Sequence, residues 1–440
     1  MGNQQRKMTL FDSFRVLKGN TRISVIFQPL WGIPYALFNF YLGLYMKAQG
    51  ITDQQIGELI AIGFISGTIF SLFSGVITDY LGRKKTTLIF DLIAWPLALL
   101  IYIFATNYWL FVLAAVCNNV ARIVNVSFTL MVVEDATNEE RKAAFTLSNI
   151  INIASGVLVP LAGVLVEKVG VIPAERSLLA LAVVSMTVMA FWRNRYYVET
   201  RIGREILREN QRQKVIAGTR LNLFGNTFAY LKRKPSALVA MVITVLFNVY
   251  LPIGTISSLY FAPYLTEKLG QSKALISSLG VVNSLTMLLV LVLLLPRLQS
   301  GLFPLLVGLG FQLLSLAVLI LIPPGDFWPL IIVIILYALG FGLFRPLVDA
   351  LFADITEGKE RAGLYGLNNT LTSILSALAG FYSGRLYQAT PVSIYRFSFV
   401  LLLLCIIGLF TYGSLEKKPI VPRINLPWRK RIPLSGRELD

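Results

Sequence analysis

The sequence predicts an all-α integral membrane protein, with twelve transmembrane helices arranged as two six-helix bundles. Three observations predict it. Of the 440 residues, 55% are hydrophobic and only 14% are charged, whereas a soluble domain carries about 25% charged residues. Twelve apolar stretches follow one another along the chain, each of about 20 residues and so long enough to cross a bilayer core. One long hydrophilic stretch, residues 193–222, interrupts them and leaves six on either side.

Residues 1–22 form a polar leader, read as cytoplasmic. The first apolar segment, 23–46, is too long for the apolar core of a signal peptide and lacks a small-residue cleavage pattern, so it is expected to remain in the protein. Segments two to six follow at 54–78, 86–106, 108–133, 145–167 and 177–197, and complete an N-terminal bundle over 23–198. A linker, 199–235, comes next. In it Ile202, Ile206, Leu207 and Ile216 recur among Arg and Glu, the pattern of a short helix lying on the membrane surface; a plain tether is the alternative. Segments seven to twelve, at 236–260, 273–296, 302–322, 328–352, 364–388 and 394–414, build a C-terminal bundle over 236–414, and 415–440 is a basic cytoplasmic tail.

Histidine is absent, and the two cysteines, Cys117 and Cys405, fall inside predicted spans. Neither a metal site, a disulfide nor a cofactor is expected, and proton traffic must run on carboxylates. The chain has no phosphate-binding loop of the Gly-x-x-x-x-Gly-Lys-(Ser/Thr) type, and without His a Ser-His-Asp arrangement is excluded. No catalytic residue is assigned and no enzyme is expected.

With both termini on one side, 31 of the 40 Lys and Arg residues fall on that side, 7 on the other and 2 within spans. The asymmetry places both termini in the cytoplasm of a multi-pass cell-membrane protein. The net charge of +17 sits in short juxtamembrane loops beside acidic headgroups, so membrane lipids rather than nucleic acid are the expected partners of these cations.

Charges inside the spans are few. Asp91, Arg122, Arg345 and Asp349 would each cost roughly 2.5–3.5 kcal/mol at mid-membrane on insertion scales, so each should face a partner or a wet cavity. Arg122 shares one helical face with Asn118, Asn125 and Thr129. Segment ten carries Tyr337, Phe341, Arg345 and Asp349 at intervals of four, and segment one carries Trp31, Tyr35 and Asn39. Arg345 and Asp349 alternatively satisfy each other one turn apart. Asp91, near the start of segment three, alternatively caps a cytoplasmic network. No acidic residue sits one turn from Arg122.

The two halves are related. Allowing one inserted residue, EDATNEERKAAFTLSN (134–149) aligns with ADITEGKERAGLYGLNN (353–369): Asp135 with Asp354, Thr137 with Thr356, Arg141 with Arg361, Phe145 with Tyr365, Leu147 with Leu367 and Asn149 with Asn369. The offset is half the chain and the position within each half is the same, which indicates a parallel six-helix repeat.

After segment two the chain reads GVITDYLGRKK (75–85). Gly82 permits a tight turn there, and Asp79 ends the helix where it can pair with a cation or a helix N-terminus. This stretch resembles the loop signature between helices two and three of the major facilitator superfamily, Gly-x-x-x-Asp-(Arg/Lys)-x-Gly-Arg-(Arg/Lys). It matches at Gly75, Asp79, Gly82, Arg83 and Lys84 and departs at Tyr80. Asp135 and Arg141 sit where that family commonly has an acidic residue and an Arg, and the similarity covers essentially the whole chain. The second-half counterpart, PRLQSGL (296–302), has lost its acid. Arg122-Ile-Val-Asn125 resembles the family's Arg-x-x-Gln-Gly motif for proton coupling, with Val126 in place of Gly. The stretch from Ser155 to Gly163 resembles its antiporter motif at Pro160 and Gly163 only.

The resemblance implies the fold of that superfamily and secondary transport by alternating access, the two bundles rocking about a central site. It implies a cavity lined by helices one, four, seven and ten. The substrate-binding residues would then be Trp31, Tyr35, Asn39, Asn118, Arg122, Asn125, Asn248 and Arg345. Asp79, Arg83 and Glu134 or Asp135 would form a cytoplasmic latch that holds the outward-open state, with Asp91 and Asp349 as further coupling or gating residues; alternatively the loop charges only mark topology. Three readings stay open. One is proton-coupled export of an amphipathic organic compound, the second is transport of an organic or phosphorylated anion, and the third is a non-transporting scaffold or receptor on the same fold. The expected partners are a small-molecule substrate, protons as coupling ion and membrane lipids, around a monomer.

Overall fold

The computed structural model of the protein describes residues 10–212, 230–298, 301–355 and 361–416. The rest of the leader, linker residues 213–229, the basic tail from 417 and Thr356 of the internal repeat lie outside the described residues. A short helix, α1 (Leu10–Val16), precedes α2 (Gly19–Asn39) and α3 (Leu42–Ala48). The first half continues with α4 (Asp53–Leu81), α5 (Arg83–Phe104), α6 (Tyr108–Val133), α7 (Asn138–Val169) and α8 (Val171–Tyr196). The linker helix α9 (Arg201–Arg212) leads to α10 (Pro235–Gly254), α11 (Lys273–Leu294), α12 (Leu302–Leu321), α13 (Trp328–Ile355), α14 (Arg361–Ala389) and α15 (Ser393–Leu415).

Ten of the described helices are long and apolar enough to cross a bilayer, and α2 with α3, bent by 45° at the break between them, makes an eleventh. The twelfth is α14, 29 residues long and packed along α4. The molecule is thus the all-α, twelve-helix membrane protein expected. Segment one is not one straight helix, however. Pro29 and Pro34 lie inside α2, each removing a backbone donor, and the chain turns at Tyr41, whose hydroxyl donates to the Lys273 carbonyl at 2.6 Å.

Local signals set the ends that matter. Thr52 and Gln55 form a reciprocal cap at the start of α4, and Thr137 and Glu140 do the same for α7, satisfying donors that a helix start leaves open. Between α4 and α5, Gly82 takes φ +85°, a left-handed conformation that favours glycine. Within α5, Pro96 sits in a π-helical turn over Ile93–Leu97.

Among the described residues, the hydrogen bonds and ion pairs that join the two halves lie together at one end of the bundle, the far face, away from the Gly82 turn. There Lys47 on α3 reaches Asp53 at 2.8 Å and Glu267 of the second half at 2.5 Å. Tyr260 donates to the Asp53 carbonyl at 3.1 Å, and the backbone NH of Ala274 donates to Glu167 at 3.4 Å.

Candidate functional site

The stripes predicted on separate helices converge between the halves. Trp31 and Tyr35 stack with centroids 4.7 Å apart, and Trp95 meets both edge-on. Opposite them Tyr337 and Phe341 stack at 5.5 Å. Trp31, Tyr35, Tyr337 and Phe341, with Asn39, Asn152, Asn283 and Thr255, line a cavity of about 480 Å³. The i, i+4 spacing of each aromatic pair stacks its rings one above the other on a single helix face.

A second cavity, of about 610 Å³, shares Leu251 with the first and is the more polar of the two. Arg122 enters it from α6 in the first half, and Asn248, Arg345 and Asp349 from α10 and α13 in the second. Arg345 donates to Asn248 at 2.8 Å, pairs with Asp349 at 3.0 Å and lies over the Phe247 ring. The self-satisfied pair is therefore real, but the Arg345 side chain is still 34% exposed and that of Asp349 51%. Arg122 makes no hydrogen bond or ion pair among the described residues. Asn368 Oδ1 and Thr372 Oγ1, on residues that line the same cavity, are buried without a hydrogen-bond partner.

Not every predicted residue belongs to these cavities. Asn125 and Thr129 are exposed on the Arg122 face of α6 but line neither cavity. Asn118 turns away: its amide donates to the Ala94 carbonyl at 3.0 Å, inside the π-helical turn that Pro96 accompanies. Asp91 does not cap the loop network. It pairs instead with Arg193 of α8, whose guanidinium also lies over the rings of Phe128 at 5.1 Å and Tyr197 at 5.6 Å.

The loop after α4 is a dense charge cluster. Arg83 donates to Asp79 at 2.8 Å and to Glu134 at 3.1 Å, and Glu134 also accepts from the Thr200 hydroxyl. The Glu199 carboxylate accepts from the backbone NH groups of Arg83 at 3.1 Å and Lys84 at 3.0 Å, so it caps the start of α5. Asp135 accepts from the NH of Arg201 at the start of α9. Asp79, Arg83 and Glu134 meet, but all within the first half and the beginning of the linker, so among the described residues the cluster does not join the halves as the expected latch would. Arg201, Arg204 and Arg208 of α9 are exposed. Changing any one of them to Gln is expected to shift stability by less than about 0.5 kcal/mol and to leave transport intact; loss of flux from one such change would make the linker a working part.

Sequence reasoning missed Lys47, Asp53 and Glu267 at the far face, Arg193 and Glu199 as partners, and Glu175. Glu175 on α8 is 0% exposed, and neither carboxylate oxygen has a hydrogen-bond partner among the described residues. The lone acid just before segment six was its only sign.

The Major Facilitator Superfamily model matches residues 30–261 and again 245–436. The chain belongs to the major facilitator superfamily. It matches no curated protein sequence. Among solved structures it is similar to the nucleoside transporter NupG, at 14% identity and TM-score 0.66, covering 91% of this chain and 100% of that one. It is equally similar to a point mutant of NupG, again at 14% identity and 0.66, covering 90% and 100%. At that identity the likeness establishes the fold. The superfamily makes this protein a multi-pass membrane transporter, and the two cavities occupy the ground between its six-helix halves.

Proposed function

We propose that the protein is a secondary transporter of the cell membrane that carries an organic compound with a planar apolar body and an anionic group. The observation that carries this reading is Arg122. It is a cation without an acidic partner among the described residues, it opens onto the same cavity as Arg345 of the other half, and that cavity adjoins the aromatic one at Leu251. A guanidinium is always charged and presents a planar fork suited to carboxylate or phosphate. The stacked rings suit a flat apolar body. One solute spanning both cavities would tie the halves together, as alternating access requires. With both termini cytoplasmic, the contacts at the far face seal the outside, and this is the inward-open state of a monomer.

Protons are the coupling ion in this reading. The Asp349 carboxylate occupies Arg345 at 3.0 Å. Its protonation releases that guanidinium for an anion, so proton and anion bind together and travel in one direction. This geometry favours co-transport over the exchange that drug-efflux proteins use.

A thermal-shift screen of the purified protein tests the substrate class. Aromatic carboxylates and phosphates are compared with neutral and cationic compounds of the same shape. A ligand at 100 times its Kd stabilises by about 2.7 kcal/mol, so anionic members should raise Tm, more strongly at lower pH in the wild type and independently of pH in Asp349→Asn. Stabilisation by the neutral or cationic members alone would refute the reading.

A further inference from the structure

The Arg122 side chain, which makes no hydrogen bond or ion pair among the described residues, takes its direction from packing, and two helices supply it. The first is α6 itself. At Val120 its ladder tightens: the Val120 NH donates to the Cys117 carbonyl at 3.2 Å, and the Ile123 NH to the Val120 carbonyl at 2.9 Å. Bonds to the third residue back eclipse side chains three apart. Arg122 therefore shares its side of α6 with Asn119, while Asn118 turns to the Ala94 carbonyl.

The second is α4. Gly63 and Gly67 are buried on it, one turn apart, where α6 crosses. A Cβ at Gly63 would lie 2.9 Å from Asn119 Nδ2, and a Cβ at Gly67 would lie 3.1 Å from Asn119 Oδ1, 3.3 Å from Arg122 Nε and 3.4 Å from Arg122 Cγ. The Asn119 amide is held in place, donating to the Ala115 carbonyl at 2.9 Å. Atoms added at residue 67 must therefore displace the Arg122 stem. Arg122 and Phe64, the neighbour of Gly63, line the polar cavity that Asn248 and Arg345 enter from the other half. The stem of Arg122 thus lies against bare helix backbone on its way to that cavity.

We propose that Gly67 positions Arg122 for the anion: its missing side chain lets the stem lie flat on α4 and fixes where the guanidinium stands relative to Arg345. The role in recognition rests on the reading of Arg122 as the holder of the anionic group. A side chain forced into a packed site shifts its neighbours and does not compress them, so a β-branched residue at 67 lifts the guanidinium off α4 and out of register with Arg345. Gly67 does not line the aromatic cavity, which keeps its stacked rings. It acts on the charge of the solute and not on its flat body.

Gly67→Val and the milder Gly67→Ala are compared with wild type and with Gly310→Val, a change at an exposed glycine whose Cβ would meet nothing within 4 Å. Phenylglyoxal, which modifies guanidinium groups, reads the side chain directly once the modified residue is located by mass spectrometry. Arg122 should react faster in Gly67→Val than in wild type or Gly310→Val, because it leaves the cover of α4, with Gly67→Ala between them. Naphthoate should bind about tenfold more weakly to Gly67→Val, while neutral naphthamide binds as it does to wild type. Modification of Arg122 at the wild-type rate in Gly67→Val would overturn the proposal. So would an equal loss of naphthoate and naphthamide binding, since Gly67 would then serve packing alone. If modification is faster and naphthoate binding unchanged, the positioning of Arg122 by Gly67 stands and the reading of Arg122 as the anion's holder falls.

Discussion

Gly57→Leu is expected to abolish transport while leaving the helical fold in place. A Cβ at Gly57 would lie 2.6 Å from the Gly380 carbonyl oxygen and 2.7 Å from the Gly384 nitrogen, and one at Gly384 would lie 2.5 Å from the Asp53 carbonyl oxygen. All of these atoms are backbone, so no side chain can swing aside, and α4 and α14 must separate. Small residues at such a crossing are what let two membrane helices approach this closely. The crossing holds the halves together near the far face, and a leucine there should keep that face open. Spin labels at Ala48 and Lys268, both exposed, would report a longer distance in the variant, and flux in proteoliposomes would vanish. A wild-type distance together with normal flux would mean that the crossing is not the closing contact.

Asp91→Ala is expected to cost about 3–5 kcal/mol, because removing one partner of a buried ion pair leaves the other charge uncompensated. Asp91 is 2% exposed and Arg193 6%, and the arginine would be stranded between Phe128 and Tyr197 inside the first bundle. Replacing both, Asp91→Leu with Arg193→Met, removes the charge as well as the pair and should recover most of the loss. Thermal unfolding in detergent separates the cases. Equal destabilisation in the single and double variants would show that packing, and not the stranded charge, accounts for the loss.

How far the sequence foretold this molecule depended on the range of each signal. The spans were legible because burial in lipid imposes long apolar runs, and the division into halves because one hydrophilic stretch interrupts them. The lining was legible where it repeats on one helix face: Trp31 with Tyr35, and Tyr337 with Phe341, Arg345 and Asp349. It failed at Asn118, whose face is decided by a carbonyl in the π-helical turn of the neighbouring helix. Partners more than a hundred residues apart carry no local periodicity, so Asp91 with Arg193, Lys47 with Glu267 and Glu199 over Lys84 were not visible. Thr52 with Gln55 and Thr137 with Glu140 sat in plain view at cap spacing. The break of segment one at Phe40–Tyr41 lies beyond both of its prolines, Pro29 and Pro34, and a count of apolar residues passes over it.

The account rests on Arg122 holding the anionic group of the transported solute. The most direct measurement is proteoliposome uptake of one aromatic anion found by the thermal screen, beside its neutral isostere, with wild type, Arg122→Lys and Arg122→Gln. Wild type should carry the anion, Lys should carry it weakly because the charge stays but the planar fork is lost, and Gln should carry none, with thermal unfolding unchanged in all three. Uptake of the anion by Arg122→Gln at the wild-type rate would contradict the account and leave Arg122 a structural charge.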